Sequence, residues 1–106
     1  MKIQSLRGMP DLFPEDLVRW HIFESKLSKI FHSFDLHEIR TPILESTELF
    51  SRSVGNASDI VNKELYSFLD RNEESISLRP EASASVIRAI IQKKQEQEKH
   101  KFWYQG

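Results

Sequence analysis

Between Val18 and Phe34, apolar residues return every three or four positions. Val18, Phe23, Leu27, Ile30, Phe31 and Phe34 form one stripe, while Arg19, Glu24, Lys26 and Lys29 fall largely on other faces. The spacing predicts a long amphipathic helix. Pro14 followed by Glu15 and Asp16 suits its first turn, where proline is tolerated and acids meet the positive end of the dipole. Asp35, a residue that accepts a left-handed conformation, is expected to close it. His37–Leu44 then reads as a strand interrupted by Pro42. Proline cannot donate to a ladder, so this strand is expected at an edge, at a bulge or against another subunit. Ser46 can cap a short helix running through Phe50 and Ser51 and closed near Gly55, and the polar stretch 56–63 predicts a mobile loop.

The period then changes to two. "ELYSFLD" (64–70) and "SISLR" (75–79) alternate apolar and polar residues around "RNEE" (71–74), which predicts an antiparallel hairpin with Tyr66, Phe68, Ile76 and Leu78 facing the core. After Arg79, Pro80 and Glu81 the helical period returns, and a helix is expected over Ser85–His100, burying Val86, Ile87, Ile90 and Ile91 and ending in a charged half. Phe102, Trp103 and Tyr104 look like the opening of a buried strand. No element follows them to pack on, so the chain is expected to be the N-terminal piece of a longer protein. The class is α+β.

Composition adds mostly exclusions. At 106 residues there is room for one small domain. Fifteen basic against 16 acidic residues leave no global field to attract a nucleic acid or a membrane surface. The absence of cysteine excludes disulfides and thiolate metal sites. No signal-peptide core and no membrane-length apolar run occurs, which leads to the expectation of a soluble, cytoplasmic protein without a membrane partner. Asn56-Ala57-Ser58 matches a glycosylation sequon and is read as part of a polar loop. His21, His32, His37 and His100 are scattered outside any metal-binding spacing, three glycines are too few for a phosphate loop, and no serine stands in a nucleophile elbow. No catalytic residue and no metal ligand is therefore assigned. The run 92–101 carries interleaved Glu96 and Glu98, which favours a solvated helix face over a nucleic-acid contact.

Four segments in order, "RGMPD", "EIRTPILESTELFSRSVG", "SDIVNKELYSFLDRN" and "SLRPEASASVIRA", resemble the N-terminal part of histidyl-tRNA synthetase, a class II aminoacyl-tRNA synthetase, and "WYQG" resembles the start of the second class-defining motif. The resemblance covers nearly the whole chain. It implies that residues 1–106 are the N-terminal portion of a catalytic domain built on an antiparallel sheet flanked by helices. It implies further that the first helix and the segment carrying Pro42 belong to a homodimer interface, with Phe23, Leu27 and Pro42 as its residues. Glu81, Ala82 and Ser83 would bind histidine: Glu81 would accept a hydrogen bond from the ammonium, the Ser83 hydroxyl would add a polar contact, and small neighbours would let the substrate approach the backbone.

Four positions depart from the family's pattern, in which glycine and threonine usually follow the glutamate and glycines usually stand at positions 35 and 73. Ser83 keeps the hydroxyl. A β-carbon at Ala82 is costly wherever the backbone needs a positive φ. Asp35 tolerates a left-handed turn, and Asn72 is expected to take the left-handed position that Glu73 makes awkward.

The function implied is ligation of histidine to its tRNA, with ATP and magnesium used by the parent enzyme and neither assigned to a site in this segment, which is expected to be inactive alone. Two other readings compete: the synthetase-like regulatory subunit of ATP phosphoribosyltransferase, and a non-catalytic dimerisation module.

Overall fold

The computed structural model describes residues 2–53 and 65–106. The expected loop over 56–63, with its sequon and the closing Gly55, lies outside them. The chain divides into two compact units, residues 1–37 and 38–106.

The first unit is dominated by helix α1, Pro14–Ser33. Its start follows the sequence: Pro14 opens the first turn, and the Asp16 carboxylate reaches back to accept the Phe13 N–H at 3.0 Å. Its end does too. Asp35 sits at φ 60°, its N–H donates to the His32 carbonyl, and the Leu36 N–H donates to that of Phe31. This pair of bonds satisfies carbonyls that the end of a helix leaves open. None of α1 is buried, and Val18, Phe23, Ile30 and Phe34 are exposed along the stripe. Leu27 and Phe31 of the same stripe are half-buried.

The second unit holds a three-stranded antiparallel sheet in the order β2-β4-β3, made of Leu44–Ser46 (β2), Ser67–Leu69 (β3) and Ser75–Leu78 (β4). A second, two-stranded sheet pairs β1, His37–Glu38, with β5, Phe102–Trp103. The terminal aromatics thus do find a strand to pair with. Pro42 falls in the link between β1 and β2 rather than within a strand, as its missing donor requires. Helix α2, Thr47–Ser53, follows β2 directly, and helix α3, Ser83–Gln92, follows β4.

The hairpin forms where the alternation predicts it. Asp70 organises its turn by accepting the N–H groups of Asn72 and Glu74 at 2.8 and 2.9 Å, and the left-handed residue is Glu73 at φ 62°, not Asn72. The buried face is the opposite of the expected one. Tyr66 is 77% exposed, Phe68 and Leu78 are also exposed and Ile76 is half-buried, whereas Ser77 is wholly buried. Ser77 Oγ lies 2.7 Å from Thr47 Oγ1 and 2.6 Å from Ser67 Oγ, and Thr47 Oγ1 also meets Ser75 Oγ at 2.7 Å. Small residues let α2 lie close against β4, and the hydroxyls satisfy one another once water is excluded.

Helix α3 is also shorter than its pattern. It stops at Gln92 because Lys94 turns left-handed, φ 57°, with the Lys94 N–H bonded to Ile91 and the Gln95 N–H to Ile90. Its buried residue is Ser85, while Ile87 and Ile91 are exposed and Val86 and Ile90 are half-buried. Among the described residues only Phe50 and Ala82 are buried apolar side chains. The α+β class with an antiparallel sheet holds, but most of its apolar surface faces outward.

Candidate functional site

The strand-to-helix corner at Arg79–Ser83 is fixed before any ligand is considered. The Leu78 N–H donates to the Tyr66 carbonyl at 3.0 Å and the Arg79 N–H to that of Ile43 at 2.9 Å, so β4 is held from both sides up to its last residue. The Arg79 guanidinium donates to Thr41 Oγ1 at 3.3 Å. Pro80 ends the ladder because it carries no N–H.

Glu81 then caps α3 one residue ahead of the helix boundary. Its Oε2 accepts the Ser83 N–H at 2.6 Å, and the Ala84 N–H reaches Oε1 at 3.1 Å and Oε2 at 3.3 Å. These donors are among those that a helix start leaves open, and a carboxylate there also meets the positive dipole end. The carboxylate is nonetheless exposed. Two oxygens offer about four lone-pair directions, so an orientation set by the helix leaves acceptor capacity for a ligand.

Ala82 takes φ −105° and ψ −15°, an ordinary right-handed conformation, and is buried. Its β-carbon carries no backbone strain here. Ser83 is exposed, with Oγ 3.5 Å from the Tyr104 hydroxyl. Glu81 and Ser83 open onto a groove of about 900 Å³ whose other walls include Leu49, Ile87 and Ile91. A fixed anion and a hydroxyl beside an apolar wall complement a small molecule with an ammonium group and a partly apolar body.

The three residues read as a substrate site, Glu81, Ala82 and Ser83, therefore stand together at one helix start. Of the residues read as an interface, Phe23 is exposed and Leu27 half-buried on α1, and Pro42 is exposed in the link before β2. Among the described residues no group of three or more His, Cys, Asp or Glu side chains is placed to hold a metal ion. No helix of the described residues is long and apolar enough to cross a membrane.

One charged pair escaped the sequence reading. The Glu45 side chain, 5% exposed on β2, faces Arg88 of α3: Arg88 Nη2 donates to Oε1 at 2.9 Å, and Nε lies 2.8 Å from Oε2 without the alignment of a hydrogen bond. Arg88 Nη1 donates to Gln92 Oε1 at 2.8 Å. The signal in the sequence was a lone arginine inside the apolar run from Val86 to Ile91, a place where an unpaired charge is costly. The partner could not be named, because it lies on a strand 43 residues away.

The family model described as histidyl-tRNA synthetase matches residues 8–106. The chain belongs to this family. A histidine–tRNA ligase of Prochlorococcus marinus (strain MIT 9211) is 49% identical over 106 residues, covering 99% of this chain and 25% of the relative. The apo histidyl-tRNA synthetase of S. aureus superposes with a TM-score of 0.77 at 36% identity, over 97% of this chain and 24% of that one. A structure from Bacillus halodurans C, described as an ATP phosphoribosyltransferase regulatory subunit/histidyl-tRNA synthetase, gives a TM-score of 0.74 over 93% of this chain and 25% of that one. At 22% identity that likeness concerns the fold alone. The chain spans about a quarter of the length of these relatives.

Proposed function

We propose that residues 1–106 form the first part of the catalytic domain of a histidine–tRNA ligase, which activates histidine with ATP and transfers it to its tRNA, and that Glu81, Ala82 and Ser83 form one wall of the histidine pocket. The observation that carries this reading is the Glu81 carboxylate, held on two helix N–H groups yet exposed at the mouth of a groove. In this reading Glu81 accepts a hydrogen bond from the substrate ammonium, and a charge-assisted bond of this kind both anchors and orients the ligand. Ser83 Oγ adds a weaker polar contact near Tyr104. Ala82 is buried between Glu81 and Ser83, so its part in this reading is to let the corner pack closely behind the two polar groups.

The chemistry of activation needs positive groups where negative charge builds on the α-phosphate. The metal and the ATP phosphates are proposed to be held by other parts of the parent enzyme. The uncovered face of α1, with Phe23 and Leu27, and the exposed Pro42 are proposed as surfaces of a homodimer, and the enzyme is proposed to work in the cytoplasm. Identity near one half to a ligase, against 22% to the structure described also as a regulatory subunit, favours the ligase reading over the regulatory one.

The test is histidine-dependent exchange between pyrophosphate and ATP, measured on the full-length ligase carrying this segment and on its Glu81→Gln variant. A histidine-specific loss in the variant is expected. Unchanged constants for histidine would remove Glu81 from the pocket.

A further inference from the structure

We propose that the pair formed by buried Glu45 and Arg88 is a positioning device for Glu81: it ties α3, whose first turn the carboxylate caps, to strand β2, and through it sets the site's affinity for an α-amino acid. This rests on the reading of Glu81 as the residue that meets the substrate ammonium.

The geometry supplies each link. Glu81 caps the first turn of α3 from just outside the helix, Arg88 lies within it, and both side chains line the groove. At the N-terminal end, Glu81's bonds to Ser83 and Ala84 tie the carboxylate to the helix, and the link through Arg79 and Pro80 joins that end to β4. Along its length α3 buries only the small Ser85, with Val86 and Ile90 half-buried and Ile87 and Ile91 exposed, so its apolar grip on the rest of the unit is modest.

Arg88 supplies the missing hold. Glu45 is the one charged residue buried among those described, and its strand is in register with β4 through the pair Glu45↔Ser77, just ahead of the corner that delivers Glu81. The Arg88 side chain is 31% exposed, and Gln92 fixes it from the other side. The guanidinium fork has a geometry that a lysine ammonium does not reproduce. A displaced α3 would carry the carboxylate with it, and misplacement by about 1 Å suffices to cost a well-oriented site roughly a hundredfold.

The experiment is a set of steady-state measurements on the full-length ligase carrying this segment, with Arg88→Lys, Glu45→Gln, Glu81→Gln and the double variant Glu81→Gln/Arg88→Lys. R88K and E45Q are each expected to lower kcat/KM for histidine by roughly tenfold to a hundredfold, through KM, while KM for ATP stays within about twofold. In the E81Q background R88K is expected to add little, because a positioning residue has nothing left to position. E45Q keeps the size and one acceptor of the glutamate and carries the same test should R88K fail to fold. Normal histidine kinetics in a folded R88K or E45Q, or an equal loss with and without Glu81, would overturn the positioning role. A Glu81→Gln enzyme with normal histidine kinetics would instead overturn the site reading beneath it.

Discussion

Glu81→Gln separates the helix cap that this carboxylate forms from its proposed contact with the substrate ammonium. On the helix side, Glu81 accepts from Ser83 at 2.6 Å and from Ala84 at 3.1 Å through Oε1, with a second contact at 3.3 Å. Glutamine keeps one acceptor oxygen, so one of the two N–H groups turns to water, which the exposed position allows. Losing a cap altogether costs about 0.5–2 kcal/mol, and losing only the charge at a helix start costs about 0.3–1 kcal/mol. The stability cost of the variant should therefore stay below about 1 kcal/mol. On the ligand side, a hydrogen bond to a charged partner is worth about 1.5–3 kcal/mol. Converted at about 1.4 kcal/mol per decade, that is roughly tenfold to over a hundredfold in kcat/KM for histidine. The assay is pyrophosphate exchange with histidine varied at saturating ATP, accompanied by a thermal melt. A melt lowered by a few degrees together with unchanged histidine constants would mean that Glu81 is a helix cap and nothing more, and the reasoning would fail.

The remaining predictions concern the segment itself. Residues 1–106 alone are expected not to support histidine-dependent exchange, since the groups that stabilise charge on the α-phosphate are proposed to lie in other parts of the parent enzyme; exchange above a no-protein control, abolished by Glu81→Ala, would contradict this. The uncovered apolar face of α1 should drive self-association at micromolar concentration, and light scattering after size exclusion that gave a clean, folded monomer would refute it. Lys94→Gly and Glu73→Gly should each stabilise the fold by about 0.5–1 kcal/mol, because glycine relieves a left-handed residue at φ 57° or 62° at the cost of some chain entropy; lower melting temperatures in both would show the turns are not strained.

What the sequence determined by itself was local. The start of α1 at Pro14, its left-handed stop at Asp35, the hairpin around 71–74 and the break of the ladder at Pro42 and Pro80 each follow from the covalent character of a few neighbouring residues. The four family segments were equally legible, and the family they point to is the one whose model matches residues 8–106. What the tertiary structure decided was which side of each element is covered. Alternation over 75–78 defines two faces but does not say which one receives a helix, and here α2 lies on the serine face, where Ser77, Ser67 and Thr47 can bond one another. The same holds for α3, which turns Ser85 inward and leaves Ile87 and Ile91 exposed. The Glu45–Arg88 pair belongs to this second class. Burial of those two charges is tolerable only because chain segments 43 residues apart bring them together, with Arg88 Nη2 2.9 Å from Glu45 Oε1, and that pairing is a product of the fold rather than of any local pattern.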